Sequence, residues 1–279
     1  MITLPVKYKN IKKIESLLIT DFEIKLFKAS CQSLCDYTNN LRFNNFAYGI
    51  RELTSHVLDR LSPNLLVKKC VWYIKDPKFE VTRAQKIKYA IQKGLCDSYI
   101  SYLGVDIEYY YSLIRDTFEQ LNKFTHVNAK SFGISDSEII ILLGRISNAF
   151  ERFSNAIIDC NNKLIDEIEK HIDDTFLAHI LSDSIEEVKE LSTHQTIDEI
   201  YPDKYVLSDL NNHSICVNVF GKILLELQFG SNSDNRKGDG FKMDEKYPFK
   251  SELIIDLNSF PDYLCELKSF DVDTSSFYE

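Results

Sequence analysis

The sequence predicts an α+β protein in which a mainly α-helical domain precedes a small antiparallel β domain. From about residue 14 to residue 200, apolar and aromatic residues recur every three or four positions and glycine is rare, as in amphipathic helices. After "YPDKY" at 201–205 the apolar residues alternate with polar ones, as in strands that are buried on one face. The predicted domains are therefore residues 1–200 and 201–279.

Capping residues mark the ends of the predicted helices. Thr82 is a predicted N-cap, and Gly94 a predicted stop, for the helix that carries "RAQKIKYAIQKG". Ser135 and Glu138 have the spacing of a capping box at the start of a long helix. The stretch 138–192 predicts two helices in succession.

The β domain is predicted from short alternating segments. Gly221 lies between "HSICVNVF" and "KILLELQF" and is the predicted turn of a hairpin. Further strands are predicted at 204–210 and 250–257, with a long polar loop at 231–249. A lone hairpin is marginally stable, so we expect these strands to form one sheet.

Composition bounds the class of protein. Of the 279 residues, 44% are apolar and 27% are charged, as in ordinary globular proteins. No apolar stretch reaches the length of about 18 residues that predicts a membrane span. The first residues lack the layout of a signal peptide. We therefore expect a cytoplasmic protein with no membrane partner.

The seven cysteines are scattered and odd in number, which argues against a disulfide framework. We expect them to be reduced and mostly buried. Cys31 and Cys35 lie one helical turn apart, but no CxxC pair or nearby histidine completes a four-ligand zinc site. No Walker or dinucleotide-binding motif occurs. The sequence thus predicts neither a cofactor nor a bound metal.

A formal net charge of −9 disfavours nucleic-acid binding over the whole surface, since phosphate contacts supply much of that affinity. One stretch, residues 67–94, is nevertheless basic. Its cations are Lys68, Lys69, Arg83, Lys86, Lys88 and Lys93. They form either solvated helix faces or an RNA-binding edge. Arg83 and Lys86 are the candidates for contact with substrate.

The segment "FAYGIRELTSHVLDRL", residues 46–61, predicts an amphipathic helix with two polar residues to explain. Its buried stripe is Phe46, Ile50, Leu53, Val57 and Leu61. Arg51 and His56 are five positions apart, so they are separated by about 140° around the helix. They are either a solvated flank or half of an active site.

An arginine and a histidine together suit RNA cleavage. The imidazole can take the proton of a 2′-hydroxyl near neutral pH, and the guanidinium can stabilise the charge that develops on the phosphate. The 2′-oxygen then attacks the adjacent phosphorus and forms a cyclic phosphate. This route needs no metal.

"RELTSH" resembles the arginine, four residues, histidine motif of the HEPN superfamily. That resemblance implies an all-helical domain, metal-independent RNase activity, and a composite site at a homodimer seam. Arg51 and His56 would carry the chemistry. The residue after the arginine is often asparagine, aspartate or histidine in the superfamily, whereas here it is Glu52. Glu52 could orient His56 or raise its pKa, or it could repel phosphate.

Several segments in order resemble the bacterial family of predicted pPIWI-associating nucleases. They are "FAYGIRELTSHVLDRLSP", "CVWY", "TRAQKIKYAIQKGL", "KFTHVNAKSFG", "STHQTIDEIY" and "LQFGSNSDNRKGDGFKMDEKYPF". The resemblance covers roughly residues 40–256. It implies a nuclease linked to prokaryotic Argonaute-like defence.

Two further positions have alternative interpretations. His126, at the end of a predicted helix, either caps the helix carbonyls or acts as a second histidine of the site. Trp72, with Tyr73, either packs in the core or stacks on a base.

Three functions are compatible with these observations. The first is a dimeric endoribonuclease of an antiviral or toxin-like system, acting on RNA. The second is a non-catalytic sensor or adaptor that dimerises through its helices and binds a defence-system partner protein. The third is metal-dependent cleavage in the β domain by Asp234, Asp239 and Glu226, with Asp244 as another oxygen ligand.

Overall fold

Helices form the N-terminal part of the chain and strands the C-terminal part, as the sequence predicts. The structure is a computed structural model that describes residues 6–172, 191–192, 194–211, 213–256 and 265–278. The second helix predicted within 138–192 lies largely outside the described residues. The described residues divide into two compact units, 1–160 and 161–279.

A 3₁₀ segment, Val6–Leu17, precedes the helices. The helices are α1 (Asp21–Leu34), α2 (Arg42–Leu61), α3 (Asn64–Val67), α4 (Arg83–Gln92), α5 (Asp97–Tyr102), α6 (Ile107–Thr125), α7 (Asp136–His171) and, in the second unit, α8 (Asn232–Lys237). No helix among these is long and apolar enough to cross a bilayer.

The predicted helix starts are confirmed. Thr82 accepts a hydrogen bond from the Gln85 amide, and the Gln85 side chain accepts one from the Thr82 amide. Ser135 and Glu138 form the same reciprocal pair before α7. The predicted stop at Gly94 is displaced: α4 ends at Gln92, and Lys93 is the C-cap with φ of 51°.

The apolar stripe of α2 lies at the centre of the first unit. Phe46, Ile50 and Leu53 have no exposed surface, and Val57 is 1% exposed. They join one core with residues of the 3₁₀ segment, α1, α6 and α7. Helix α2 also packs against α1, α4 and α6 directly. The predicted stripe is therefore confirmed, with Leu61 half-buried at its end.

None of the seven cysteines, all of which lie in the described residues, is part of a disulfide. Cys31, Cys70 and Cys160 are buried, and the other four are partly buried. Burial raises the pKa of the Cys31 and Cys70 thiols to about 12, so neither is a ready nucleophile at neutral pH.

The described strands of the second unit form one antiparallel sheet in the order β1, β2, β3, β4. Their bounds are β1 (His194–Leu210), β2 (Ser214–Phe229), β3 (Phe241–Asp256) and β4 (Cys265–Val272). Alternate residues of β2 are buried, which gives the sheet one apolar face. The α+β class is therefore confirmed, although β4 was not predicted.

The prediction of a turn at Gly221 is wrong, because β2 runs through this residue without a break. Gly221 pairs with Pro202 of β1 and with Phe249 of β3. A Cβ atom at Gly221 would lie 2.2 Å from the Tyr201 carbonyl oxygen and 2.8 Å from Cε1 of Phe249. The glycine permits close approach of a neighbouring backbone, not a chain reversal.

The predicted polar loop at 231–249 is also corrected. It contains α8, which starts with a capping box between Ser231 and Asp234 and ends at Gly238 in the left-handed conformation. β3 then begins at Phe241. The alternating pattern does not predict this strand because the first half of β3 is mostly polar. Main-chain pairing with β2 stabilises that half, although it contains few apolar side chains.

The sheet begins before the predicted domain boundary near residue 200, since β1 starts at His194. The two compact units divide earlier still, between Cys160 and Asn161 within α7. The change of sequence period marks where helix gives way to strand, and a helix can continue past the edge of a compact unit. That residues 1–200 and 201–279 fold as independent domains stays a prediction.

Replacing Gly221 with alanine should lower the free energy of unfolding by about 2 kcal/mol or more, since the added methyl group meets backbone that cannot move freely. Gly144→Ala in α7 is the matched control, because a Cβ there meets nothing within 4 Å. Alanine favours helix, so Gly144→Ala should change stability by no more than about 1 kcal/mol, in the stabilising direction. Urea unfolding followed by circular dichroism measures both. Equal midpoints for Gly221→Ala and the parent protein would contradict the close approach.

Candidate active site

Arg51 and His56 lie on opposite flanks of α2. The Nη1 group of Arg51 donates a hydrogen bond of 3.3 Å to the Thr125 hydroxyl at the end of α6. On the same flank, the Asn44 amide donates to the carbonyl of Phe124 at 2.7 Å. These contacts place Arg51 on the α6 side of the helix.

His56 lies on the α1 side. Its exposed ring packs edge-on against Phe22 of α1, with ring centroids 4.8 Å apart. One turn further on, Arg60 donates to the buried carboxylate of Glu23 at 2.7 Å and to the Leu17 carbonyl at 2.7 Å. Within one protomer, Arg51 and His56 therefore do not share a site.

Glu52 pairs with Arg51 and not with His56. The Nε and Nη2 groups of Arg51 donate to one oxygen of Glu52 at 3.1 and 2.7 Å. The guanidinium is also 5.4 Å from the centre of the Tyr48 ring. A carboxylate that already accepts two hydrogen bonds from Arg51 is poorly placed to orient His56, so the contact expected from their i, i+4 spacing is not formed.

Arg83 is the second cation on the α6 side. Its guanidinium lies over the ring of Phe118 of α6, 3.8 Å from the ring centre. Among the described residues it has no carboxylate partner. Burial lowers the pKa of Arg83, and the positive charge of Arg51 lowers it further. The charges of Arg83, at the start of α4, and Arg51, in the middle of α2, therefore oppose each other.

His126 is next to this flank along the chain, although no contact among the described residues joins its ring to Arg51 or Arg83. It is the C-cap of α6 and directly follows Thr125, which accepts the hydrogen bond from Arg51. Its side chain is exposed and has no hydrogen-bond partner in the described part of the chain. The predicted capping of helix carbonyls by its ring is not formed; its own carbonyl accepts from Asn128 and Ser131. We define Arg51, Arg83 and His126 as the α6-side cluster.

Three of the six candidate cations in the basic stretch at 67–94 have carboxylate partners within the protein. Lys68 pairs with Glu80, Lys86 with Asp59, and Lys88 with Asp97. These pairs favour solvated, salt-bridged helix faces over a continuous RNA-binding edge. Lys86 is therefore a less available substrate contact than Arg83.

Trp72 is partly buried against a small core formed by Val67, Cys70, Val81 and Tyr89. Its indole Nε1 donates to the Lys93 carbonyl at 3.0 Å. Lys88 lies 4.7 Å from the ring centre. These contacts favour core packing; stacking of a base on Trp72 stays a prediction.

Two of the candidate metal ligands in the second unit, Asp234 and Glu226, have structural partners. Asp234 caps α8, and its carboxylate accepts hydrogen bonds from the Ser231 amide and hydroxyl. Glu226 forms an ion pair with Lys242 at 2.6 Å. Across the described ranges, no three histidine, cysteine, aspartate or glutamate side chains are grouped as metal ligands. The described residues thus offer no cluster in which Asp234, Asp239 and Glu226 would share a cation.

Two family models match the chain. Both are described as predicted pPIWI-associating nuclease; one matches residues 15–150 and the other residues 157–278. The chain belongs to this family of predicted nucleases. No curated protein and no solved structure matches it.

In this predicted pPIWI-associating nuclease, the two family segments meet within α7, close to where the compact units divide. The first segment contains the whole α6-side cluster, together with His56. Neither segment carries a HEPN description, so the resemblance of "RELTSH" to that superfamily stays a hypothesis.

Sequence reasoning did not identify the two residues of α6 that contact the candidate arginines. Phe118 is buried at helical spacing and is indistinguishable from core in the sequence. Thr125 gives no signal of its own. Proximity of Arg83 to Arg51 depends on how α4 packs against α2, and one sequence does not contain that information.

The Glu23–Arg60 pair, which fixes α1 against the His56 flank, predicts a pH-dependent stability. Burial alone would raise the pKa of Glu23, but hydrogen bonds from Arg60 and from the Ile19 and Thr20 amides lower it below the usual value. A carboxylate with a lowered folded pKa stabilises the fold above its unfolded pKa, about 4.3, and loses that contribution as the pH falls through the folded pKa. Glu23→Gln should therefore cost about 1–3 kcal/mol at pH 7 and progressively less in acid.

Asp21→Asn is the control for this experiment. Asp21 lies in the same helix, and its side chain is 91% exposed in its ion pair with Lys25. Its loss should change stability by less than about 1 kcal/mol. Urea unfolding at a series of pH values measures both variants. A Glu23→Gln deficit that stays constant into acid would contradict the ionic origin of the effect.

Proposed function

We propose that this protein is a metal-independent endoribonuclease that binds the RNA backbone at the α6-side cluster. The observation that carries the proposal is that Arg51 and Arg83 both contact α6, at Thr125 and at Phe118, and that only Arg51 has a carboxylate partner within the described residues. The family, one of predicted nucleases, supports phosphodiester cleavage as the reaction class.

Two guanidinium groups held near each other repel, and that repulsion is relieved when an anion lies between them. A phosphodiester suits this position because arginine binds phosphate oxygens with paired donors and stays charged. Glu52 neutralises part of the charge of Arg51, so Arg83 is the stronger phosphate contact. Its guanidinium is held over Phe118, which reduces the conformational freedom lost on binding.

His126 is the proposed acid and base. Its imidazole takes the proton from the 2′-hydroxyl, and the 2′-oxygen attacks the adjacent phosphorus. The bond between phosphorus and the 5′-oxygen breaks, and the leaving oxygen takes a proton from the imidazolium or from water. The products are a 2′,3′-cyclic phosphate and a 5′-hydroxyl. Arg51 and Arg83 stabilise the additional negative charge on the phosphate in the transition state.

His56 can take the same role only in a different arrangement. On the α1 side of its own protomer the neighbouring arginine, Arg60, is engaged by Glu23 and the Leu17 carbonyl, so His56 needs an arginine from a second copy of the chain. The homodimer with a composite site, implied by the HEPN resemblance, is that arrangement. Variants of the two histidines separate the two possibilities.

Arg83→Ala and Arg51→Ala should each lower the rate of RNA cleavage about 10²–10³-fold, as expected when a donor to a developing anion is lost. His126→Ala should lower it about 10²–10⁴-fold, because general acid and base catalysis is lost. His56→Ala should retain most of the RNA cleavage rate of the parent protein. The measurement is cleavage of end-labelled single-stranded RNA in the presence of EDTA, with analysis of the product ends.

Arg115→Ala is the matched control for the arginines, since Arg115 is exposed on α6 and pairs with Asp116. It should cleave at the parent rate, and circular dichroism should verify that all variants fold. Full activity in both Arg83→Ala and His126→Ala would contradict the proposed site. A loss of activity in His56→Ala with none in His126→Ala would favour the composite dimer site.

A non-catalytic adaptor is the second candidate, and one observation favours it: the carboxylate of Glu52 accepts two hydrogen bonds from Arg51, which leaves that arginine fewer donors for a phosphate. In that case the helical unit would dimerise and the sheet would bind the partner. For either function we propose that the partner is a pPIWI protein of the same prokaryotic defence system, as the family name suggests. Intact RNA under all conditions, together with a co-purifying pPIWI protein, would favour the adaptor.

A further inference from the structure

The loop that precedes α4, residues 74–81, presents an aromatic ring to solvent. The side chain of Phe79 is 63% exposed, and no other ring packs against it among the described residues. Phe79 lies four residues before Arg83, so the chain between them spans at most about 14 Å. An RNA strand that is held at Arg83 therefore reaches this ring within a few nucleotides. We call residues 74–81 the Phe79 loop.

Hydrogen bonds hold the Phe79 loop in shape. The carboxylate of Asp76 accepts from the amides of Lys78 and Phe79 at 2.8 and 2.9 Å, which closes a tight turn. Where the loop approaches α4, the Tyr73 hydroxyl donates to the Glu80 carbonyl at 2.8 Å. A ring that is carried on a fixed turn loses little conformational freedom when a ligand stacks on it.

The charges that this loop leaves available are basic. Lys75 and Lys78 are exposed on either side of the turn, and neither has a carboxylate partner in the part of the chain that the structure describes. The acidic side chains are engaged, because Asp76 accepts the two amide hydrogen bonds and Glu80 forms an ion pair with Lys68. Two unpaired lysines beside an exposed ring suit an anion that also carries a flat apolar group.

A single-stranded nucleic acid fits this combination better than a protein does. Single strands offer bases that stack on aromatic rings and phosphates that bind lysine. A stable protein interface needs about 20–30 residues on each side, which is more than this loop supplies. A duplex keeps its bases stacked on each other, so it presents none to Phe79.

We infer that the Phe79 loop binds the unpaired part of an RNA substrate, with one base stacked on Phe79 and the adjoining phosphates held by Lys75 and Lys78. The inference rests on the proposed function, in which Arg83 holds a phosphate of the same strand. It adds a substrate class to that function, namely RNA whose bases are unpaired near the cleaved bond. The loop takes no part in the chemical step.

Fluorescence anisotropy of the full-length protein with labelled oligouridine of about twelve nucleotides tests the inference. The riboses of this probe carry 2′-O-methyl groups, so no 2′-oxygen can attack the phosphorus, and binding is measured without cleavage. We expect saturable binding. A duplex of the same oligouridine with 2′-O-methyl oligoadenosine should bind at least about tenfold more weakly, because its bases are already stacked on each other.

Substitutions of Phe79 separate base stacking from simple apolar contact. Phe79→Ala should weaken oligouridine binding about tenfold, since the stack of a base on the ring is lost. Phe79→Tyr should bind as the parent protein does, whereas Phe79→Leu, which has an apolar side chain but no ring, should resemble Phe79→Ala. Ile74→Ala is the matched control, because Ile74 is 78% exposed in the same loop. Its loss should change the affinity less than about twofold.

The salt dependence of binding tests the lysines. Lys75→Gln combined with Lys78→Gln should reduce the slope of log affinity against log salt by about 1.4, as expected when two contacts to single-strand phosphates are lost. Lys222→Gln combined with Lys250→Gln removes the same charge from exposed positions of the sheet and should leave the slope unchanged. All the substituted side chains are exposed, so the fold should persist, and circular dichroism verifies this.

Three results would overturn the inference: no saturable binding of oligouridine, equal affinity of Phe79→Ala and the parent protein, or binding of Phe79→Leu as tight as that of Phe79→Tyr. The third result would identify an apolar docking surface for a protein instead of a base. Cleavage of RNA is not a readout in these experiments. The cleavage rates of Arg83→Ala and His126→Ala therefore test the proposed function separately from the Phe79 loop.

Discussion

The buried stripe of α2 is the constraint on which the rest of the helical unit depends. Phe46, Ile50 and Leu53 are fully enclosed, and burial of each such side chain contributes about 1.5–3 kcal/mol. A helix cannot turn about its axis without exposing such a stripe, so the directions of its polar residues are fixed. Packing thereby directs Arg51 toward α6 and His56 toward α1 before any functional contact is considered.

Electrostatic pairing separates the cations that have carboxylate partners from those that have none among the described residues. In the basic stretch at 67–94, Lys68, Lys86 and Lys88 each have a carboxylate partner. Arg83 has none within the described residues, and it lies near another arginine. A net charge of −9 is therefore compatible with a local phosphate site, because the charge average says little about one uncompensated guanidinium.

The sequence predicts features that depend on neighbours along the chain. The caps at Thr82 and Ser135 and the stripe of α2 are of this kind, since each is set by spacing within one helix. It does not predict features that depend on packing between elements. Gly221 resembles a turn residue until Tyr201 and Phe249 are placed beside it. The hydrogen bond from Arg51 to Thr125 likewise depends on how α2 packs against α6.

The geometry of α2 also bears on how a composite site could form. A two-fold axis brings the same surface of both copies together, so a seam along the α1 side places one His56 beside the other only if the axis passes close to that residue. Such a seam brings Arg51 into the same groove only if it also covers the α6 side. On the α1 side, the surface between α1 and α2 is occupied by Phe22 and by the Glu23–Arg60 pair. A site on the α6 side draws Arg51, Arg83 and His126 from one protomer. This site uses both arginines and needs no dimer interface. The single-protomer arrangement is therefore the stronger form of the nuclease proposal.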